Sequence, residues 1–162
     1  MILTIKRYGN PILRKEASDV RKIDEKIRKI ASDMIETLIA ANGLGLAGNQ
    51  VGILKRIIVV RIKEKPFVIL NPKAISTSGI VEEASEGCLS FPSLFGNVQR
   101  AFTITFRGLN INGDEITGEI SGLPARAIQH EIDHLDGILF IDRMDESERK
   151  KLLALWRKIK IT

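Results

Sequence analysis

Two histidines and a glutamate form the pattern in this sequence that is best suited to chemistry. His130, Glu131 and His134 lie in the run His-Glu-Ile-Asp-His, and the chain has no other histidine. Residues four apart share one face of a helix, so both imidazoles can bind one metal ion. Glu131 lies about 100° further around the helix, where a general acid/base can reach a coordinated water. The run predicts a catalytic metal site, although two histidines that only make hydrogen bonds would also fit it.

A third protein ligand is needed, because a catalytic zinc-type ion has three protein ligands and one open position. Cys88, the only cysteine, lies in the run Glu-Gly-Cys-Leu-Ser. A lone cysteine is more often a small buried apolar residue, but the histidine pair favours a ligand here. The alternative ligands are downstream carboxylates, namely Asp142, Glu146 and Glu148. The residues alone leave this choice open.

A glycine-rich segment, residues 43–50, reads Gly-Leu-Gly-Leu-Ala-Gly-Asn-Gln and follows the first predicted helix. It is not a P-loop, because no Lys-Ser/Thr pair follows, and the helix before it excludes a dinucleotide-binding fingerprint. The simplest interpretation is a flexible turn. A loop that ends in Gln50 can also donate hydrogen bonds to a substrate or an oxyanion.

Three helices are predicted around these motifs. The apolar spacing of residues 24–41 predicts the first helix. The second, from about 124 to 136, carries both histidines, and Gly137 suits its C-terminal cap. The third, about 145–160, is basic and amphipathic, with one apolar face formed by Leu152, Leu155, Trp156 and Ile159.

Strands are predicted in the middle of the chain, at residues 57–62, 67–70, 103–107 and 116–120. They come as hairpins instead of alternating with helices, which favours antiparallel or mixed sheets. The predicted fold class is therefore α+β, with such sheets around a central helix that bears the HExxH run, an N-terminal helix and a C-terminal helix. No repeat or linker interrupts the chain, so residues 1–162 are expected to form a single catalytic domain.

Composition limits the class of protein. The 162 residues suffice for one domain, and 44% hydrophobic with 28% charged residues is ordinary globular composition. A membrane helix needs about 20 apolar residues, and no apolar run in the chain approaches that length. The first residues lack a signal-peptide pattern. One cysteine fits a reducing cytoplasm. The net charge of +5 permits an acidic partner, but 5% aromatic residues argue against direct nucleic-acid specificity through base stacking.

Three segments together resemble the signature motifs of the peptide deformylases. They are GLGLAGNQ (43–50), EGCLS (86–90) and QHEIDH (129–134), in that order, and residues 8–14 resemble the N-terminal segment of that family. The resemblance extends to about Met144. It implies an α+β metalloenzyme that removes the formyl group from the N-terminal formylmethionine of newly synthesised polypeptides and releases formate.

The resemblance implies a metal centre with three protein ligands. Cys88, His130 and His134 match the ligands of the family, with a water as the fourth ligand. Glu131 matches its general acid/base. The implied cofactor is one divalent ion, Fe(II) in most bacterial members, although this donor set also suits Zn(II), Ni(II) or Co(II).

The resemblance also implies how the substrate is bound. Gln50 and the backbone N–H of Leu89 match the donors that stabilise the oxyanion. Gly45 matches the glycine that lies against the substrate backbone, and Leu44 matches a residue that lines the methionine pocket.

The chain departs from the family pattern at two positions. Gly48 stands where the family usually has an alanine, which we interpret as a change in loop stiffness. Phe95 stands where many bacterial members carry an arginine near the peptide entrance. Arg100 matches a family arginine, and we predict that it pairs with Glu86 and braces the cysteine segment.

Partners and alternatives follow from the same patterns. The substrate class is N-formylmethionyl nascent peptides. A basic terminal helix is usually a solvated face, but the resemblance implies weak docking to the ribosome through Arg149, Lys150, Lys151, Arg157, Lys158 and Lys160. Two other functions remain open: a zincin-like metallopeptidase that uses HExxH with a downstream carboxylate, and a non-catalytic ribosome-associated homologue.

Overall fold

The structure, a computed structural model, describes the backbone of residues 1–161 and the side chains of residues 1–159, in which seven strands form two sheets. The five-stranded sheet has the order β1-β2-β3-β6-β7, formed by β1 (Gly45–Ala47), β2 (Ile57–Ile62), β3 (Lys65–Thr77), β6 (Thr103–Leu109) and β7 (Glu115–Ser121). The second sheet pairs β4 (Val81–Cys88) with β5 (Phe91–Ala101). Every strand pair in both sheets is antiparallel, as the hairpin pattern predicts.

The three predicted helices are present as α1 (Glu25–Ala41), α2 (Leu123–Leu135) and α3 (Glu146–Ile161). The carboxylate of Asp24 accepts a hydrogen bond from the backbone N–H of Ile27 and caps the start of α1. Asn42, in the left-handed region at φ 51°, caps its end. None of these helices is long and apolar enough to cross a membrane.

The five-stranded sheet is covered on both faces, and β2 shows why. Its first four residues are all fully buried, which is typical of a strand packed on two sides. Ile57 and Val59 pack with residues of α1, whereas Ile58 and Val60 pack with residues of α2. This alternation, with a period of two, holds α2 and its histidines against one face of the sheet.

A second core forms where β5 meets α3. Phe91, Phe140 and Trp156 lie in one apolar cluster, with the rings of Phe91 and Phe140 5.3 Å apart. The predicted apolar face of α3 is only half right, because Leu152 and Trp156 are buried, whereas Leu155 and Ile159 are 51% and 44% exposed. The helix covers the core at its edge, so only a narrow stripe is buried.

Several strands were not predicted or were predicted too short. The strands β4 and β5 were missed, because the sequence of β4, VEEASEGC, is polar and shows no clear alternation. The prediction for β3 covered only residues 67–70. Residues 43–50 are more ordered than a flexible turn, since they contain β1 and most of a short 3-10 helix, Gly48–Val51.

Candidate metal centre and active site

Helix α2 presents both histidines on one buried face. His130 and His134 are one turn apart, their ring centroids lie 4.9 Å from each other, and they are 6% and 1% exposed. The helix is followed by Gly137 at φ 75°, where a Cβ would lie 2.6 Å from the carbonyl oxygen of Arg14. The predicted role of this glycine as a helix stop therefore has two physical reasons, its backbone conformation and this close approach.

Cys88 meets the histidines at the end of β4. An irregularity in the pairing with β5 lies between Gly87 and Cys88, so the cysteine pairs with Phe91 and not with the next residue in register. Its Sγ atom lies 3.3 Å from Nε2 of His134. The ligand atoms of Cys88, His130 and His134 all lie within 4.8 Å of one another. The fold therefore brings together the three residues that the family motifs pointed to.

The downstream carboxylates that could have been metal ligands interact with other groups. Asp142 is bonded to Arg14, with the shorter contact at 2.5 Å, and accepts a hydrogen bond from the backbone N–H of Leu139. Glu146 pairs with Lys150 at 3.4 Å. Among the described residues, the cluster suited to a metal contains the thiol and no carboxylate.

The cluster fits a divalent transition metal by the chemistry of its donors. Thiolate and imidazole are the donors that Zn(II), Fe(II), Co(II) and Ni(II) accept in proteins, at about 2.0–2.3 Å from the metal for zinc. Three ligand atoms within 4.8 Å of one another can reach one ion at such distances. Three protein donors also leave a fourth position open, as in catalytic sites.

Glu86 supports the centre through His130. Nδ1 of His130 and Oε1 of Glu86 lie 2.6 Å apart. Arg100 donates to both oxygens of Glu86, at 2.7 and 3.1 Å, so the predicted pairing is confirmed. Burial opposes ionisation of Glu86, but the hydrogen bonds from His130 and Arg100 outweigh it and lower the pKa of the carboxyl. The carboxylate therefore stays charged and holds the imidazole in one orientation.

Sequence reasoning missed three members of this network, of which Arg126 and Asp133 are buried and Arg143 is exposed. Arg126 donates to Glu86 at 2.8 Å, Asp133 accepts from Arg100 at 2.6 Å, and Arg143 donates to Asp133 at 3.0 Å. Part of the signal was available, because Arg126 precedes His130 by four residues and so shares its helix face. Nothing in the sequence showed that Glu86 would lie opposite that face.

Glu131 is a buried carboxyl with a free oxygen. It is 3% exposed, and its Oε1 has no hydrogen-bond partner among the described residues. Burial raises the pKa of Glu131 to about 7. A buried carboxyl with such a pKa can both accept and return a proton near neutral pH.

Gly45 lies directly against this carboxyl. A Cβ at Gly45 would lie 2.5 Å from Oε2 and 2.9 Å from Cδ of Glu131. We therefore expect Gly45→Ala to displace the Glu131 side chain and reduce kcat, with metal content unchanged because no metal-cluster residue is altered. Steady-state kinetics and metal analysis of the same preparation check this. Wild-type kcat in the variant would show that the carboxyl position is not critical.

Gln50 and Leu89 flank the thiol. Gln50 is 1% exposed, accepts a hydrogen bond from the backbone N–H of Ala47 at 2.9 Å, and donates to Oγ of Ser90 at 3.2 Å. Its Nε2 also lies 3.6 Å from the sulfur of Cys88. Leu89 directly follows Cys88 in the chain. The side-chain amide of Gln50 is thus fixed beside the cluster with its N–H groups on the thiol side.

A cavity of about 1140 Å³ opens in front of the cluster. Cys88, His130 and Glu131 line it, together with the predicted substrate contacts Gly45 and Leu44. Leu44 is 50% exposed. The lining is mainly apolar, which suits an apolar side chain of a substrate.

The structure shows what surrounds Phe95 and Gly48, the two positions that depart from the family pattern. Phe95 is 68% exposed at the cavity wall, and its ring covers Gly87, where a Cβ would lie 2.6 Å from the ring. A Cβ at Gly48 would lie 2.6 and 2.7 Å from the carbonyl oxygens of Ile53 and Lys55. Close backbone approach therefore explains this glycine, beyond the predicted effect on loop stiffness.

Comparison with known proteins identifies the family. The sequence profile described as polypeptide deformylase matches residues 2–150. The chain is 44% identical over 151 residues to a peptide deformylase of Desulforudis audaxviator, covering 93% of this chain and 98% of that protein. The chain belongs to the peptide deformylase family. The resemblance carried by the three motifs is thereby confirmed.

Solved deformylase structures share the fold. A peptide deformylase from Legionella pneumophila superposes with a TM-score of 0.93 at 36% identity, covering 99% of this chain and 96% of that one. A deformylase from Synechococcus elongatus, solved in complex with actinonin, gives a TM-score of 0.90 at 38% identity and covers 94% of this chain and 85% of that one. The α+β architecture with antiparallel sheets and three helices is therefore the deformylase fold.

Proposed function

We propose that this chain hydrolyses the formyl amide at the N terminus of formylmethionyl nascent polypeptides and releases formate. One observation carries the proposal: the ligand atoms of Cys88, His130 and His134 lie within 4.8 Å of one another, and Cys88 and His130 line one cavity. Membership of the family supplies the reaction class, a hydrolysis in protein synthesis. The buried carboxyl of Glu131 in the same wall supplies the proton-transfer group.

The cofactor in this proposal is one divalent cation held by Cys88, His130 and His134. When bound, such an ion acts as a Lewis acid and lowers the pKa of a coordinated water to about 7. We infer from the family resemblance that Fe(II) is the natural ion. Zn(II), Ni(II) or Co(II) can replace it, because thiolate and imidazole suit all four ions. Metal analysis after anaerobic purification identifies the natural ion.

Glu131 is the general acid/base in this mechanism. Its unpartnered Oε1 accepts a proton from the attacking water, and the same oxygen later gives the proton to the leaving amine. At 3% exposure, this carboxyl has little contact with bulk water. The formyl C–N bond breaks, and formate and the free amine of methionine are released.

The substrate is positioned by β1 and by the segment before it. β1 is an edge strand of its sheet, so one side of its backbone is unpaired and can bind an extended peptide as an added strand. Gly45 has no side chain to block this approach, and Leu44 lines the cavity beside it. We infer that Gly45 lies against the peptide backbone and that Leu44 contacts the methionine side chain.

The oxyanion is stabilised by two donors in this scheme, the side-chain amide of Gln50 and the backbone N–H of Leu89. We expect Gln50→Ala to lower kcat by about 10²–10³-fold, because one such donor lowers the activation barrier by about 3–4 kcal/mol. Metal content should remain at the wild-type level when the metal is supplied in excess, because the three ligands themselves are unchanged. Stopped-time formate assays with metal analysis check both values. An unchanged kcat would remove Gln50 from the oxyanion site.

The catalytic unit is proposed to be a single domain over residues 1–162, with α2 as its central helix. Two observations support this: α2 packs on the five-stranded sheet through Ile128 and Leu135, and its network reaches the β4–β5 pair. The proposed location is the cytoplasm, which the lone thiol at the centre of the site favours.

A formate-release assay tests the function directly. Anaerobically purified protein is given formyl-Met-Ala-Ser, and release of one formate per peptide is expected without cleavage between residues. Cleavage of internal peptide bonds would support the zincin-like alternative instead. Metal-loaded protein that releases no formate would support a non-catalytic homologue.

Weak ribosome docking through α3 is a further part of the proposal. Lys150, Lys151 and Arg157 are exposed on this helix, and Lys160 lies outside the described side chains. We expect the double variant Lys150→Glu/Arg157→Glu to lose salt-sensitive co-sedimentation with ribosomes and to keep full activity on free peptides. Deletion of α3 is a poor test, because it would uncover the core that Trp156 closes.

The matched control for this prediction makes the same charge change around the start of α1. Lys22→Glu/Lys26→Glu alters two exposed lysines near the start of that helix and should leave co-sedimentation unchanged. Equal losses in both double variants would mean that net charge, and not α3, governs association.

A further inference from the structure

Arg126 is a buried cation in the first turns of α2, and its guanidinium donates three hydrogen bonds. Its side chain is 6% exposed. It donates to the carbonyl oxygen of Glu82 at 2.7 Å, to the carbonyl oxygen of Val98 at 2.8 Å, and to Oε2 of Glu86 at 2.8 Å. Hydrogen bonds from a charged donor are the stronger kind. The bonds to Val98 and Glu86 are buried, and the bond to Glu82 is partly buried.

These three acceptors connect the two parts of the chain that supply the metal ligands. Glu82 and Glu86 belong to β4, the strand that ends in Cys88, and Val98 belongs to β5 beside it. Arg126 itself lies on α2, four residues before His130. Arg126 therefore joins the cysteine-bearing hairpin to the histidine-bearing helix, together with the bond from Arg100 to Asp133.

The same side chain also sets the orientation of the Glu86 carboxylate. Oε2 of Glu86 accepts from Arg126 and from Nε of Arg100, the latter at 3.1 Å. Oε1 faces Nδ1 of His130 at 2.6 Å and also accepts from Nη2 of Arg100 at 2.7 Å. A carboxylate on Nδ1 fixes the imidazole tautomer and makes Nε2 the nitrogen available to a metal. Without Arg126, Oε2 would keep only the bond from Nε of Arg100, which is the longest of the hydrogen bonds on this carboxylate, so the carboxylate would be held less firmly.

We propose that Arg126 is a positioning residue for the metal centre, acting through Glu86 on His130 and through the two strands on Cys88. The inference rests on the proposed function, because it concerns the same cluster. Arg126 differs from Arg100, which joins Glu86 to Asp133 and does not bind the backbone of β4 or β5 through its side chain in the described hydrogen bonds. Because Arg126 also lines the cavity, contact with substrate is the competing role.

The first test is the affinity for Co(II), measured by competition with a chelator and by the visible spectrum of the bound ion. Arg126→Met keeps the stem and removes the guanidinium. We expect its affinity to fall by about 10- to 100-fold, the range for groups that orient metal ligands. The metal-loaded variant should show a lower kcat and a KM within about twofold of wild type, because Arg126 positions ligands and does not bind substrate.

Arg56 offers a closely matched control. Its side chain is 15% exposed and donates to the carbonyl oxygens of Ala17 and Leu135 and to the carboxylate of Asp136, so it also has two backbone acceptors and one carboxylate. It lies at the opposite end of α2. Arg56→Met should lower thermal stability as Arg126→Met does and leave the Co(II) affinity unchanged. Equal affinities in the two variants would overturn the proposal.

A double-mutant cycle decides whether Arg126 acts through Glu86. Glu86→Gln keeps the shape of the side chain and removes its charge. If the proposal is right, the affinity losses of Arg126→Met and Glu86→Gln are strongly non-additive. Additive losses would contradict it, as would a variant with raised KM and wild-type Co(II) affinity.

Arg126→Lys covers the case in which Arg126→Met does not fold. A lysine keeps the charge but cannot hold both strands and the carboxylate at once, so an intermediate Co(II) affinity is expected. Wild-type affinity in this variant would overturn the proposal. Failure of wild-type protein to bind Co(II) would instead contradict the proposed function, which separates the two outcomes.

Discussion

Replacing Glu131 with glutamine should lower kcat by about 10²- to 10⁴-fold, the contribution of a positioned general acid/base. Glutamine has the same shape, but its amide cannot accept the proton that the free Oε1 of Glu131 is placed to take. The side chain is 3% exposed, so bulk water cannot replace it as a base. Steady-state formate release at saturating formyl-Met-Ala-Ser measures the effect.

Metal content separates this loss from damage to the centre. Glu131 is outside the cluster of Cys88, His130 and His134, so the glutamine variant should bind the wild-type amount of metal. Glu83→Gln is the matched control, because Glu83 is an exposed glutamate on β4 of the same hairpin. Full activity of the Glu131 variant would exclude the proposed proton transfer.

Replacing Cys88 with serine should remove most of the bound metal. A neutral hydroxyl is a much weaker donor than a thiolate, and only two imidazoles would remain. Loss of a group that is hydrogen-bonded to a ligand lowers metal affinity by about 10- to 100-fold. Loss of the ligand itself should lower the metal affinity further. Elemental analysis after dialysis, with formate release on the same sample, checks both metal and activity.

Asp142→Asn is the companion variant for the cysteine. Asp142 was one of the alternative ligands, but it pairs with Arg14 and caps the backbone N–H of Leu139. It should therefore keep wild-type metal content, even if the variant unfolds at a lower temperature. Metal retained in Cys88→Ser and lost in Asp142→Asn would reverse the assignment and favour a zincin-like site.

The helices and the spacing of the histidines were predictable because both depend on local periodicity. Residues 24–41 and 124–136 carry apolar positions at helical intervals, and the observed helices α1 and α2 agree to within a residue or two. A four-residue spacing on a helix dictates that His130 and His134 share a face. The prediction for α3 was right for only half of its apolar face for the same reason. Periodicity identifies the apolar face of a helix, but it does not show how much of that face the core will cover.

The β4–β5 pair was not predictable from its residues. The strand β4 is polar, and the apolar residues of β5 stand at irregular intervals, so neither strand shows the alternation that identifies a half-buried strand. This pair positions Cys88, Glu86 and Phe95, which include a member of the metal cluster and its support. Because these two strands were not predicted, the position of Cys88 relative to the histidines could not be predicted from the sequence either.

The sequence by itself determined the donors: one thiol, two imidazoles four residues apart, and a carboxyl next to the first of them. Their types and local spacing are properties of a short stretch of chain. Only the tertiary structure decided that Cys88 meets His134, 46 residues away, and that Arg126 meets Glu86, 40 residues away. Contacts between distant segments depend on how sheets and helices pack around a shared core, and no short-range pattern encodes that packing.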